Sequence, residues 1–585
     1  MKKQLAFYLL ATAAAWAAPP AIRSGGVVNA ATNAPLGTAG SGIAQGSYFA
    51  IYGSGLGPDT FASASIPYPT TLGGASVTVT PASGAAVQAF LTYAQAGQIN
   101  AILPSTTPLG GATVTVTYNN ATSTPAKITV VQSSFGTFST GYPIGAAAII
   151  NVNTAPLYNL LTNAANTGDV LELFGTGLGP ITGGDNTAPG VVSPSGIDVK
   201  ILVGGTVVTP LYAGRSPQYP ALDQINFVLP SDPGIPDGCF VPIAVQVNGV
   251  VGNYATFSKA TGSRTCPAPL GLTPTALAKL DQGGKLNVGA LTLARSTILA
   301  SIVGGLSIPI NAATEQAGGV FASFGTSDLF GLLQTPGAIP PLNAAGTCLV
   351  QTEPSTAAPT STIPPIVKFL DAGSKLTLSG PNNKAQDLPS QANVGYAAFL
   401  AQSGATLFGL QIPGVPTVPA GVPATYIEPG GWTIKGSGGA DVGAFTASIT
   451  VPAALNCSPS CDITAIDRTQ PLVIQWTGGG GSQDYVEVAG VATTASLADP
   501  TKNVAVLFEC TAKASDGTLT VPVSVLSQMP TSSADALAPN TGALLVINGL
   551  GNSDASFTAP LTAGGVLDAG YFGYTSVRTK LMQYK

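Results

Sequence analysis

One phrase occurs twice in this chain, and its chemistry leaves little choice of local structure. Residues 46–58 read GSYFAIYGSGLGP and residues 168–180 read GDVLELFGTGLGP. In the first, Phe49 and Ile51 alternate with Tyr48, Ala50 and Tyr52; in the second, Leu171 and Leu173 alternate with Val170, Glu172 and Phe174. A period of two sends one set of side chains to the core face of a strand. Each strand then enters Gly53, Gly55, Leu56, Gly57 and Pro58, or Gly175, Gly177, Leu178, Gly179 and Pro180. Glycine adopts positive φ freely and proline cannot continue a sheet ladder, so each strand must end in a bent loop. Leu56 and Leu178 are the large apolar residues of these loops, and each is expected to plug one end of a core.

The flanking phrases recur in the same order. Val27-Val28-Asn29 returns as Ile149-Ile150-Asn151, at the offset of 122 that also relates Gly46 to Gly168. Leu91, Tyr93 and Ala94 are echoed by Leu211, Tyr212 and Ala213. Gln98-Ile99-Asn100 is echoed by Gln224-Ile225-Asn226, at an offset of 126. Ordered recurrence at near-constant spacing means one β-domain duplicated in tandem, over residues 21–135 and 146–260. About seven short strands in about 110 residues is the size of an immunoglobulin-like sandwich.

At 585 residues the chain is too long for one core. It holds 72 glycines and 48 prolines, and only 8% of its residues are charged. Long helices lack their usual Glu, Lys and Arg here, which points to many strands joined by Gly/Pro turns. The expected class is all-β: tandem immunoglobulin-like β-sandwiches followed by a larger C-terminal β-sandwich region. Residues 262–365 read as a connector or as the opening part of that region. In it, Thr273 and Pro274 begin a short helix, Leu286 to Leu293 alternates as a strand, and Pro340-Pro341 and Thr352 to Pro365 read as stiff or disordered connectors. Residues 366–585 return to strands, among them Trp432 to Lys435, Phe445 to Val451, Leu519 to Val523 and Tyr571 to Val577.

Residues 1–17 read as a secretory signal: Lys2 and Lys3, the apolar run Leu5 to Ala15, and the cleavage pattern Ala15-Trp16-Ala17. No later apolar run reaches the roughly 18 residues of a membrane-spanning helix. The expected location is secreted, periplasmic or cell-surface. Cysteines number six: Cys239, Cys266, Cys348, Cys457, Cys461 and Cys510. Behind a signal an even count argues for disulfides, with 15 possible pairings. Cys239 and Cys266 can staple the end of the second repeat, Cys457 and Cys461 can close a small loop, and Cys348 and Cys510 then pair by elimination. A metal site at Cys457 and Cys461 is disfavoured, for it lacks close further ligands.

The chain has no histidine, which removes Ser-His-Asp and Cys-His catalysis and His-ligated zinc together. Net charge is −5, with no basic patch of useful length, so nucleic acid is not an expected partner. The glycine motifs precede no helix, so they make no phosphate cradle, and no cofactor is expected. A glycosidase needs two facing acids; Glu428, Asp441, Asp462, Asp467, Glu487 and Glu509 are the candidates. Asp467-Arg468 reads as a buried or partly buried ion pair. Asp185-Asn186 and Asp499 offer oxygens for calcium without a repeated ligand pattern. Tyr48, Tyr52, Tyr68, Tyr93, Tyr212, Tyr219, Trp432 and Trp476 are candidates either for a sugar platform or for core and corner positions.

The strand-to-loop phrase resembles IPT/TIG domains, which are immunoglobulin-like. The wider set is Val28-Asn29-Ala30-Ala31, Gly53 to Pro58, Pro67 to Gly74, Gln98 to Asn100, Gly175 to Pro180 and Gln224 to Asn226. It resembles the secreted repeat family known as the Solibacter uncharacterised C-terminal domain, over about residues 26–260. That resemblance implies a secreted β-sandwich pair and brings no assigned activity or site residue. The expected role is non-catalytic: a binding or adhesion protein for extracellular polysaccharide or another protein. The alternatives are a carbohydrate-active hydrolase with a carboxylate pair in residues 420–520, and a self-associating matrix or spacer protein.

Overall fold

The computed structural model describes residues 19–140, 145–267, 272–303, 306–325, 344–355, 368–392, 395–404, 423–497, 501–549 and 556–585, with isolated positions between them. The signal segment, Pro340-Pro341 and residues 356–365 lie outside the described residues. The architecture is all-β, built of stacked and folded sheets. No helix of the described residues is long and apolar enough to cross a membrane.

In the first repeat, Ala21–Asn29, Tyr48–Ser54, Gln98–Ile102, Phe90–Gln95 and Ala62–Ser63 lie side by side in one sheet. The facing sheet is centred on Ala126–Val131, Gly110–Tyr118 and Ala75–Pro81. Phe49, Ile51, Leu91 and Ile99 from one layer meet Val77, Val79, Val114 and Val116 from the other. Each such buried side chain contributes roughly 1.5–3 kcal/mol. The second repeat repeats the plan: Leu171, Leu173, Ile225 and Phe227 pack against Ile201, Val203, Ile243 and Val245. Leu56 and Leu178 are wholly buried, one in each core. The glycines before them are needed for close approach. A Cβ on Gly53 would stand 2.1 Å from the Ala21 carbonyl oxygen, and one on Gly175 would stand 2.2 Å from that of Gly136.

The C-terminal region is one long sheet that folds over itself. From its edge the order is Cys348–Ser355, Asn503–Lys513, Tyr485–Ala495, Gly542–Gly549, Ala569–Leu581, Leu286–Val303, Leu306–Phe324 and Gly395–Ser403. It continues through Lys384–Gln391, Lys375–Gly380 and Gly430–Gly436 to Phe445–Val451 at the far edge. The far arm packs back on the centre, so Leu376, Trp432, Ile434 and Phe445 share a core with Leu291, Leu293, Phe321 and Phe572. The other arm buries Val486, Val488, Phe508 and Leu544 against Ile474, Trp476, Val521 and Leu526.

The stretch beginning at Thr352 is not a connector up to Ser355. Cys348–Ser355 pairs antiparallel with Asn503–Lys513, from Cys348↔Cys510 to Ser355↔Asn503. Pro354 is tolerated because the strand lies at the sheet edge, where a missing N–H breaks no inner ladder. The strand expected at Leu286 to Leu293 runs on to Val303 and forms a hairpin with Leu306–Phe324 at the middle of the sheet. The short helix is Pro274–Asp281, with Thr273 accepting the Ala276 N–H. The strand expected through Val523 stops at Val521, where Pro522 introduces the short helix Val523–Leu526.

Candidate functional site

The Gln-Ile-Asn phrase gives each repeat its outward face. On Gln98–Ile102, Ile99 points into the core, while Gln98 and Asn100 are half-buried on the opposite face. Tyr52 pairs with Gln98 from one neighbouring strand, and Tyr93 with Asn100 from the other. Tyr93 reaches that face because of a bulge. The register slips between Leu91 and Tyr93, so Leu91 faces the core and Tyr93 turns outward. Re-aiming a side chain is a recurrent use of a bulge. Phe61, 61% exposed, lies beside Tyr93 with ring centroids 6.0 Å apart and planes within 15°. The amides are held in place: Gln98 Nε2 donates to Asn100 Oδ1 at 2.8 Å, and the Tyr93 hydroxyl donates to Gln95 Oε1 at 2.5 Å. Arg23 stands over the Tyr52 ring, 5.4 Å from its centroid.

The second repeat carries the same skeleton. Gln224 Nε2 donates to Asn226 Oδ1 at 3.0 Å, and Tyr212 pairs with Asn226 across the ladder. It differs at two registers: Phe174 stands opposite Gln224 where the first repeat has Tyr52 opposite Gln98, and Glu172 accepts from Asn226 Nδ2 at 3.2 Å where the first repeat has Ala50 opposite Asn100.

The two repeats are joined by a buried polar junction. Arg215 and Asp223 form an ion pair with both side chains fully buried. Arg215 Nη2 also donates to the carbonyls of Gly46, 2.6 Å away in the first repeat, and Gly179, 2.8 Å away. Asp185 accepts from the Ser105 N–H and hydroxyl, both at 2.6 Å. Asn186 exchanges hydrogen bonds with the Tyr68 backbone. The Asp185-Asn186 loop considered for calcium therefore serves this junction. Among the described residues no group of three or more acids, cysteines or histidines is placed to hold a metal ion.

The remaining candidates sort by contact. The six cysteines form Cys239–Cys266, Cys348–Cys510 and Cys457–Cys461 disulfides. Trp432 and Trp476 are buried, their indole N–H groups given to the Glu428 and Ala514 carbonyls, so neither belongs to a platform. Asp467 and Arg468 do not pair. Asp467 accepts from Thr469 inside the turn that the Gln470 N–H closes on the Asp467 carbonyl, while Arg468 donates outward to the Lys585 and Met529 carbonyls. Glu428 is tied to Lys384 and Asn382, and Asp462 to Ser458 and Arg578, which hold both carboxyls below their ordinary range. Asp441 accepts the Asp371 N–H, and Asp499 accepts from Thr501.

Glu487 and Glu509 are the two acids the fold brings together. They sit diagonally on adjacent strands, Glu487 opposite Thr511 and Glu509 opposite Ala489, and are 1% and 3% exposed. Burial pushes Glu487 up to about 8 and Glu509 well above the ordinary range, with the Glu487 charge adding to the second shift. A glycosidase pair must meet substrate and water; these two are sealed from both.

No family model matches the chain, and no curated protein does. Solved structures it is similar to include a surface glycan-binding protein from Prevotella bryantii, at 14% identity over 37% of this chain and 36% of that one, with a TM-score of 0.14. Another is SGBP-B from a complex xyloglucan utilization locus in Bacteroides uniformis, at 12% identity over 67% and 84%, TM-score 0.14. A tetra-tandem repeat from the extending region of a large adhesion protein aligns at 13% identity over 96% and 99%, TM-score 0.12. The chain spans about a third of the first of these structures.

Sequence reading missed Phe61, which lies in a loop with no periodic signal, and used Gln98 and Asn100 only as repeat markers. Alternation around the buried Ile99 is the signal that places them outward.

Proposed function

We propose that this is a secreted or cell-surface, non-catalytic binding protein whose first repeat takes a polysaccharide chain on its outward sheet face. The reading rests on one observation: Phe61, Tyr93 and Tyr52 share that face with the anchored amides of Gln95, Gln98 and Asn100. Sugar rings offer flat C–H faces to aromatic rings and hydroxyls to amides, so both halves of that chemistry are supplied. A rigid sheet presents them without an ordering cost at binding. Three disulfides among the described residues support an oxidising compartment. On its sequence motifs, the same proposal places residues 26–260 with the Solibacter uncharacterised C-terminal domain family.

The test is affinity electrophoresis through gels containing soluble polysaccharides, preceded by a glycan array to choose them. Phe61→Ala and Tyr93→Ala are expected to weaken binding about tenfold each, or ~1.4 kcal/mol. Tyr219→Ala, on an exposed residue of the second repeat, is expected to leave it unchanged. Absence of retardation by any glycan, or variants that bind as the parent does, would overturn the proposal.

A further inference from the structure

We infer that Glu487 and Glu509 make the C-terminal sheet a proton-dependent element: as neutral acids they allow two strands to bury together, and as carboxylates they weaken that pairing. The geometry is a diagonal pair of buried carboxyl groups on Tyr485–Ala495 and Asn503–Lys513, one oxygen of each without a hydrogen-bond partner. Two carboxylates so placed would each lose hydration and repel the other.

No cation relieves them. Beyond Lys3, every lysine and arginine of the chain lies among the described residues, and none pairs with either glutamate. On their own strands the titratable groups of the same face are Tyr485 and the exposed Lys513 at the strand end. The edge strand Cys348–Ser355 adds Glu353, exposed and acidic. Gly542–Gly549 adds none. Ala569–Leu581 adds Tyr571 on this face, whereas Arg578 and Lys580 alternate to the other face and reach Asp462.

The sign follows from the direction of the shifts. A carboxyl whose pKa is higher folded than unfolded stabilises the fold most below its unfolded value, and that advantage is lost as pH rises to the folded value. For Glu487 the window runs from 4.5 to about 8. Across it the folded-to-unfolded ratio should fall about tenfold per pH unit per titrating group. Apart from Glu353, whose carboxyl is also raised by partial burial, the window is otherwise nearly silent. The chain has no histidine, and its described cysteines are all in disulfides, so only the α-amino group ordinarily titrates there.

The experiment is denaturant unfolding of the full chain at intervals from pH 5 to 8.5, for the parent and for Glu487→Gln/Glu509→Gln. The parent is expected to lose at least a hundredfold in its folding equilibrium constant, and the double variant to lose much less. A flat parent curve, or the same slope in both proteins, overturns the inference. Should the double variant fail to fold, infrared spectroscopy of the parent decides. A protonated carboxyl C=O band at pH 6.5 is expected, and its absence sinks the idea.

Discussion

Arg215 shows how much one side chain can carry when it is denied water. It is wholly buried, paired with Asp223, and gives its second terminal nitrogen to carbonyls from both repeats. Removing it leaves Asp223 charged, buried and uncompensated. Arg215→Ala should therefore cost about 3–5 kcal/mol, read as a lowered midpoint in urea unfolding. Lysine should restore little, since one ammonium cannot match a planar fork that reaches three acceptors. None of this was legible in the sequence. Arg215 and Asp223 are separated by a turn, and nothing in their spacing marks them as partners or places Gly46 of the other repeat beside them. By contrast, the inward residues Phe49, Ile51, Leu171 and Leu173 were legible, because a period of two needs no knowledge of distant contacts.

At the level of strands and loops, the duplicated glycine phrase does two jobs with one residue type. Gly55 and Gly177 turn the chain at φ of 62° and 108°, while Gly53 and Gly175 let the adjoining strand approach. Gly53→Ala and Gly175→Ala should each destabilise by about 1–3 kcal/mol, since the nearest obstructing atom at each is a backbone carbonyl oxygen that cannot swing aside. Differential scanning calorimetry would register this as a lower Tm. The motif announced its own bend, but the long hairpin Leu286–Val303 and Leu306–Phe324 did not announce its place. Its small residues and threonines blur the alternation, and its centrality comes from partners as distant as Ala569–Leu581. The second half of the Cys348–Ser355 strand was hidden for a similar reason, Thr352 and Pro354 reading as the start of a linker until Asn503–Lys513 supplied a ladder.

For the whole molecule, the junctions differ in kind. The first repeat keeps a core of its own and meets the second through ions and hydrogen bonds. The second repeat instead lends Ala244, Val251 and Tyr254 to one C-terminal core, and Phe240, Ala260 and the Cys239–Cys266 bridge to the other. The Cys348–Cys510 bridge spans 162 residues of sequence. Replacing both cysteines by serine should cost about 2–5 kcal/mol, seen as a lower thermal midpoint than the parent's when both are measured without reducing agent. Ala569–Leu581 lies between Gly542–Gly549 and Leu286–Val303, parallel to the latter. A ribosome delivers Leu286–Val303 long before its neighbour exists. Until the final segment emerges, an 18-residue strand waits with one flank open, and a nascent chain in that condition is the natural client of a holding chaperone.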